Sequence, residues 1–312
     1  MKSLPRFTSA VVAVLLAGFW LSLPEVRGQR VPGDEQKSEK NFVLKAPTPR
    51  MADAPGPESA EAKAALDQAR QRLLSYPSIK AKLVETVALA NRRFTVNGSY
   101  LQGSDLRLRL EFQVKLGDTE GSILEVCDGQ VLWTRHQIGS DVRISRRDVR
   151  RIQQAAADSG QPDDLITVDL GFGGLPGLFA SIEKSMQFDQ YKEDTADGRK
   201  LIVIEGGWKP AMLKFWQGKK PDDPLPDYVP SRIRVYLDGE SLFPRRILYL
   251  GRNAENILRP KVSLDFSEIE TDTAIPASKF KFVTPDGVIP EDLTPSFLDQ
   301  IKQRGQARGS DK

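Results

Sequence analysis

Residues 122–145, SILEVCDGQVLWTRHQIGSDVRIS, limit what this chain can fold into more than any other stretch. Asp128-Gly129 is a strong hairpin signal, because a two-residue type I′ turn needs positive φ at both central positions. With those two residues as the loop, Leu124 is expected opposite Trp133 and Val126 opposite Val131. All four then share one face of the ribbon, since side chains alternate with period 2. The other face receives Glu125, Gln130 and Thr134, softened by Ile123, Cys127 and Leu132. A ribbon with one oily face needs something to cover it.

The flanking sequence has the same period. Residues 79–89 alternate with an interruption at Glu85, and Phe94, Val96, Gly98 and Tyr100 mark a second strand. Leu106, Leu108, Leu110, Phe112 and Val114 interleave with Arg107, Arg109, Glu111, Gln113 and Lys115, the pattern of a strand with one buried and one wet face. Further hairpins are expected around Ala196-Asp197-Gly198 and Asp238-Gly239-Glu240, with closing strands at 261–269 and 280–283. Helical periodicity appears after Ser59 (Ala62, Leu66, Ala69, Leu73), at 148–157 with Ser145 as its cap, after GFGGLPG at 175–186, briefly near 212–216, and after a Thr294 cap, with Gly305 past its end. Strands joined mostly by short turns build antiparallel sheets, and a sheet this wide curls. The expected fold is α+β, mainly β: a large curved antiparallel sheet of about eleven strands forming an incomplete barrel, with helices covering or plugging its apolar face.

The chain's beginning reads as an address. Lys2 and Arg6 precede an apolar run at 10–23, and Val26-Arg27-Gly28 suits cleavage, so 1–28 is expected to be a secretory signal peptide and the protein exported to the periplasm. The alternative is an uncleaved inner-membrane anchor. Residues 29–57 are polar and Pro-rich, a tether without the apolar content to order itself. The folded domain is expected at 58–292 with an insertion at 209–230, followed by a short helix and tail at 293–312. With 45 Lys+Arg against 42 Asp+Glu, charge gives no reason to expect nucleic acid as a partner.

Reactive groups are scarce. The single Cys and single His, Cys127 and His136, lie about 20 Å apart along the expected hairpin, too far for a nucleophile and its base. No metal cluster, nucleophile elbow or phosphate loop is legible, and the acidic pairs Asp163-Asp164 and Asp222-Asp223 lack a calcium-ligand pattern. No cofactor, metal or catalytic residue is therefore expected. Arg143, Arg146, Arg147, Arg150 and Arg151 form one dense basic run; on a helix most of it shares a face, which suits an anionic headgroup or an acidic envelope protein, or simply a solvated surface.

Three segments resemble the LolA/LolB-like superfamily of exported lipoprotein carriers, in the manner of its planctomycete-type relatives. They are the opening strand at 78–98, the hairpin LEVCDGQVLWTRHQIGSDVRI, and the closing stretch at 263–287 containing FSEIETD and IPASKFKFVTPDGV. The resemblance implies an unclosed barrel around helices whose interior accepts acyl chains, without catalytic residues. On that footing the chain is expected to be a non-enzymatic lipid or lipoprotein binder. The oily faces nominate Phe94, Leu108, Leu110, Phe112, Leu124, Val126 and Trp133 as the lining, and Met212, Phe215 and Trp216 as a flap. A sensor or scaffold for an envelope protein is the second expectation, and a hydrolase using acids that the sequence does not single out is the third.

Overall fold

The computed structural model describes residues 55–89, 92–116, 119–159, 173–216, 225–226, 229–253 and 257–309. The expected signal peptide, most of the tether and both acidic pairs lie outside them. Helix α1 (Ala60–Ser75) starts where the Ser59 side chain accepts the Ala62 N–H at 3.2 Å, and buries Ala62, Ala65, Leu66, Ala69 and Leu73. It stops at Tyr76, since the residue before a proline avoids the α region.

Six strands then run as a meander: β1 (Ser78–Leu89), β2 (Arg92–Gly103), β3 (Arg107–Leu116), β4 (Thr119–Asp128), β5 (Val131–Ile138) and β6 (Asp141–Asp148). Helices α2 (Val149–Asp158) and α3 (Gly174–Ser185) follow. A second meander comprises β7 (Met186–Ala196), β8 (Arg199–Trp208), β9 (Arg232–Asp238), β10 (Pro244–Arg252) and β11 (Leu258–Thr271), with helix α4 (Pro210–Trp216) between β8 and β9. β1 and β11 pair antiparallel and join the two meanders into one sheet, so strands far apart in sequence meet at its centre. A two-residue strand β12 (Glu291–Asp292) adds in parallel to β6, and helix α5 (Thr294–Gly309) ends the described chain. Among the described residues the sheet is twelve-stranded and open between β12 and β7, an incomplete barrel as expected.

One face of the sheet carries the main core. Ile79, Ala81, Leu83, Val96, Tyr100, Leu108, Leu110 and Phe112 pack there with apolar side chains of α1, α2 and α3, and with Ile204, Ile233, Val235 and Ile247 of the second meander. The Tyr100 hydroxyl accepts the Leu175 N–H at 2.8 Å and fixes the start of α3.

Four local expectations change. The β4–β5 turn is one step further on: Cys127 faces Leu132, Val126 faces Trp133 and Leu124 faces Arg135. Gly129 alone has positive φ (96°), and the Asp128 carboxylate accepts the Gln130 and Val131 N–H groups at 2.8 and 2.9 Å, so Gly129-Gln130 is the loop. The slip is an even number of residues and leaves side-chain faces unchanged. Residues 280–283 form no strand; a 3-10 turn (Ala277–Phe280) leads into irregular backbone. The arginine run is not one helix face, because Arg143, Arg146 and Arg147 lie on β6 and only Arg150 and Arg151 on α2, whose cap is Asp148 and not Ser145. Finally, α5 continues through Gly305 to Gly309.

Candidate functional site

The predicted lining divides between the two faces of the sheet. Register places Tyr100 opposite Leu110 and Gly98 opposite Phe112; with Phe94, Leu108, Leu110 and Phe112 this set lies on the helix-covered face. Leu124, Val126 and Trp133 lie on the outer face. The segment after β11 crosses them: the rings of Trp133 and Phe282 stack with centroids 5.1 Å apart, and Arg107 lies over the Phe280 ring at 5.8 Å. The oily side of the β4–β5 ribbon is therefore covered by the chain's own C-terminal strap. The side that reads as polar in sequence faces inward, where Ile123, Cys127 and Leu132 join the core.

That inward side is polar but paired. Glu125 is almost fully buried, and burial raises its pKa while the Arg147 charge and a Thr134 hydrogen bond hold it down. Arg147 donates to Thr134 Oγ1 at 2.9 Å and lies over the Phe297 ring of α5. His136 sits beside them, its pKa lowered by burial and by Arg147 and Arg143, so it is neutral at neutral pH. Cys127 has no exposed surface, and burial pushes its thiol up to about 11. His136 now faces Ile123, four residues along from the Cys127 position, or about 13 Å at the strand rise. Neither group is poised as a nucleophile or base for the other. Among the described residues no group of three or more His, Cys, Asp or Glu side chains is placed to hold a metal ion.

The remaining arginines have separate engagements. Arg146 pairs with Asp292 at 2.8 Å, Arg150 donates to the Gly129 carbonyl at 3.0 Å and Arg143 pairs with Asp141 at 3.4 Å, while Arg151 is exposed. An open groove of about 460 Å³ between α1, α3 and β7 is bordered by Lys63, Arg70, Glu183 and Lys184 together with Leu66 and Phe188, and by none of the predicted lining residues.

The helix-covered face is most distinctive at the seam. Glu85 on β1 has 0% exposure and faces Val96 on one side and Leu264 on the other. Tyr249 on β10 is 2% exposed and faces Val262 and Ile233. Among the described residues, neither the Glu85 carboxyl oxygens nor the Tyr249 hydroxyl has a hydrogen-bond partner. Burial raises the Glu85 carboxyl to about 8 and drives the Tyr249 phenol upward, with the Glu85 charge adding to the latter. An unpaired buried polar group costs about 1–3 kcal/mol, so two on neighbouring rows of one apolar face stand out. In sequence the only sign is the break in the β1 alternation at Glu85.

Burial thins along the strands beyond this pair. Val87 faces Phe94 and Val262, and all three are half-buried where Leu83, Val96 and Leu264 are fully buried. Met212, Leu213 and Trp216 of α4, also half-buried, pack against the same core, and Trp216 meets Trp208 at 5.7 Å between ring centroids. Two of the three predicted flap residues thus lie against the core; the Phe215 side chain lies outside what is described.

No protein-family model and no curated protein matches this sequence. Among solved structures, the chain is similar to LprF from Mycobacterium bovis, at 12% identity and TM-score 0.38, covering 71% of this chain and 98% of that one. It is similar to a LolA superfamily protein from Nitrosomonas europaea at 12% identity and TM-score 0.29, covering 71% and 97%. A match to the MucA/MucB complex of Pseudomonas aeruginosa has 12% identity and TM-score 0.36 and covers 72% of this chain, which spans 62% of that one. The LolA-like group expected from the sequence is therefore present among the structural neighbours. At these overlaps nothing about ligand or partner is carried across.

Proposed function

We propose that the protein is an exported, non-enzymatic binder of acyl chains, the lipid portion of a lipid or lipoprotein, held on the concave face of the half-barrel. The observation that carries this reading is the half-buried apolar end of the seam, Val87, Phe94 and Val262. Each buried methylene contributes about 0.8 kcal/mol, so a chain of a dozen carbons binds usefully without a specific polar contact. Leu108, Leu110 and Phe112 continue the same face inward; Leu124, Val126 and Trp133, beneath the strap, are not part of it. Met212, Phe215 and Trp216 serve as the flap, moving aside as the chain enters. Arg151, and Arg143 by exchanging its exposed pairing with Asp141, are the members of the arginine run that meet an anionic headgroup or an envelope protein.

The test is displacement of a fluorescent fatty acid from delipidated protein, backed by native mass spectrometry. Saturable binding that falls at least tenfold in Phe94→Arg and Val87→Arg, with melting temperatures held, supports the reading. Absence of any chain binding by the wild type, or equal binding by both variants, overturns it.

A further inference from the structure

An apolar bowl meant only for hydrocarbon has no use for a carboxyl and a phenol in its wall. Glu85 and Tyr249 lie on the central strands of the sheet, one row apart, with β11 between them. Among the described residues their polar atoms are shut off from solvent and make no hydrogen bond, whereas Tyr100 takes the Leu175 N–H and Thr134 takes Arg147 on the same face. The side chains facing the pair across the ladders are Val96, Leu264, Val262 and Ile233, none of them charged. No lysine or arginine charge contributes at either group. Both side chains are therefore held as hydroxyl-type donors in a dry surrounding, where an unmade hydrogen bond is costly and a made one is strong.

We propose that Glu85 and Tyr249 form a polar anchor within the acyl-chain site that receives the oxygen atoms of an acyl ester. The inference rests on the acyl-chain reading above and adds the class of head it selects. The chain of such a ligand extends along Val87 and Phe94, and its ester oxygens accept hydrogen bonds from the carboxyl and phenol. Because those atoms are closed to solvent, access requires the side chains packed over the pair to move aside. No bond is made or broken; two unsatisfied donors gain acceptors.

The experiment compares three competitors of equal chain length against a dansyl-labelled fatty acid: a methyl ester, the corresponding alkane, and the corresponding alkylamine. Each is titrated into the wild type, Tyr249→Phe, Glu85→Leu and Glu85→Gln. The expected result is an ester preference over the alkane of roughly tenfold in the wild type, lost in Tyr249→Phe and Glu85→Leu and kept in Glu85→Gln, which retains a donor. Binding of ester and alkane with equal affinity by the wild type overturns the anchor and leaves the acyl-chain reading standing. A preference for the alkylamine overturns it in favour of a cation-binding carboxylate. Binding of none of the three overturns both. Because the comparison is made within each variant, a uniform loss from misfolding does not imitate loss of ester preference.

Discussion

Trp133 on β5 and Phe282 in the C-terminal segment stack with an interplanar angle of 14° and a centroid distance of 5.1 Å. That contact, with Phe280 seated beside Gly103 and Arg107, fastens the segment after β11 across the outer face of β3 to β5 before it reaches the β6 edge. Phe282→Ala is expected to cost about 1–2 kcal/mol, the loss of a half-buried ring and its stacking partner. Urea unfolding monitored by tryptophan fluorescence measures it, and an unchanged midpoint would show that the strap is not held there.

Glu85 makes stability depend on pH in an unusual direction. Its folded pKa is raised from 4.5 to about 8, so between those values the folded state retains a proton that the unfolded chain has released. The contribution is fully present below about 4.5, declines as pH rises, and is gone above about 8, a span worth at most about 4–5 kcal/mol. The pH slope of the wild type minus that of Glu85→Gln, from denaturant melts at pH 5, 6, 7 and 8, should be negative throughout. A flat difference would mean the carboxyl is ionised and solvated.

Gly174 begins α3 with φ of 56°, and a β-carbon there would land on the Tyr100 hydroxyl with Gln102 Oε1 at 3.0 Å. Gly174→Ala combines a left-handed backbone with a clash at a buried phenol. The expected loss is about 2–3 kcal/mol, read as a drop in melting temperature of several degrees. Gly177→Ala, on the same helix, is the control and should be close to neutral.

Arg232 is the hub of a buried ion network on the outer side of the second meander. It pairs with Asp189 and, at 2.7 Å, with Glu205, which Arg234 also meets at 2.6 Å. Asp189 in turn accepts the Gly56 N–H at 2.6 Å, and the Ser59 N–H donates to the Phe188 carbonyl at 2.8 Å. Arg232→Met leaves two carboxylates short of a partner and should cost about 3–5 kcal/mol. Hydrogen exchange should quicken at Gly56 and Ser59, whereas a purely local effect would leave those amides unchanged.

The strand content was readable because the pattern is local: the alternation from Leu106 to Val114 dictates β3, and Asp128-Gly129 locates the first clear hairpin. What could not be read locally was which side faces in. Leu124, Val126 and Trp133 look like the lining of a core, yet they lie beneath a strap more than a hundred residues away in sequence. Phe280 and Phe282 imitate a strand because aromatic residues two apart give the same period as a ladder, although Phe280 closes a 3-10 turn and irregular backbone follows it. The slip of the hairpin came from the Asp128 carboxylate, whose two backbone contacts move the loop to Gly129-Gln130. Glu85 was visible as an interruption; its isolation became apparent only when β11 and β10 were placed alongside it.

The pairing of β1 with β11 has a consequence for how the molecule is made. A ribosome releases β1 long before β11, and until then the edge of β1 not paired with β2 presents its open amides and carbonyls as an inviting template to any stray extended peptide. The nascent protein must therefore spend the time between the two strands with its midline unzipped, and its closure waits on the arrival of β11.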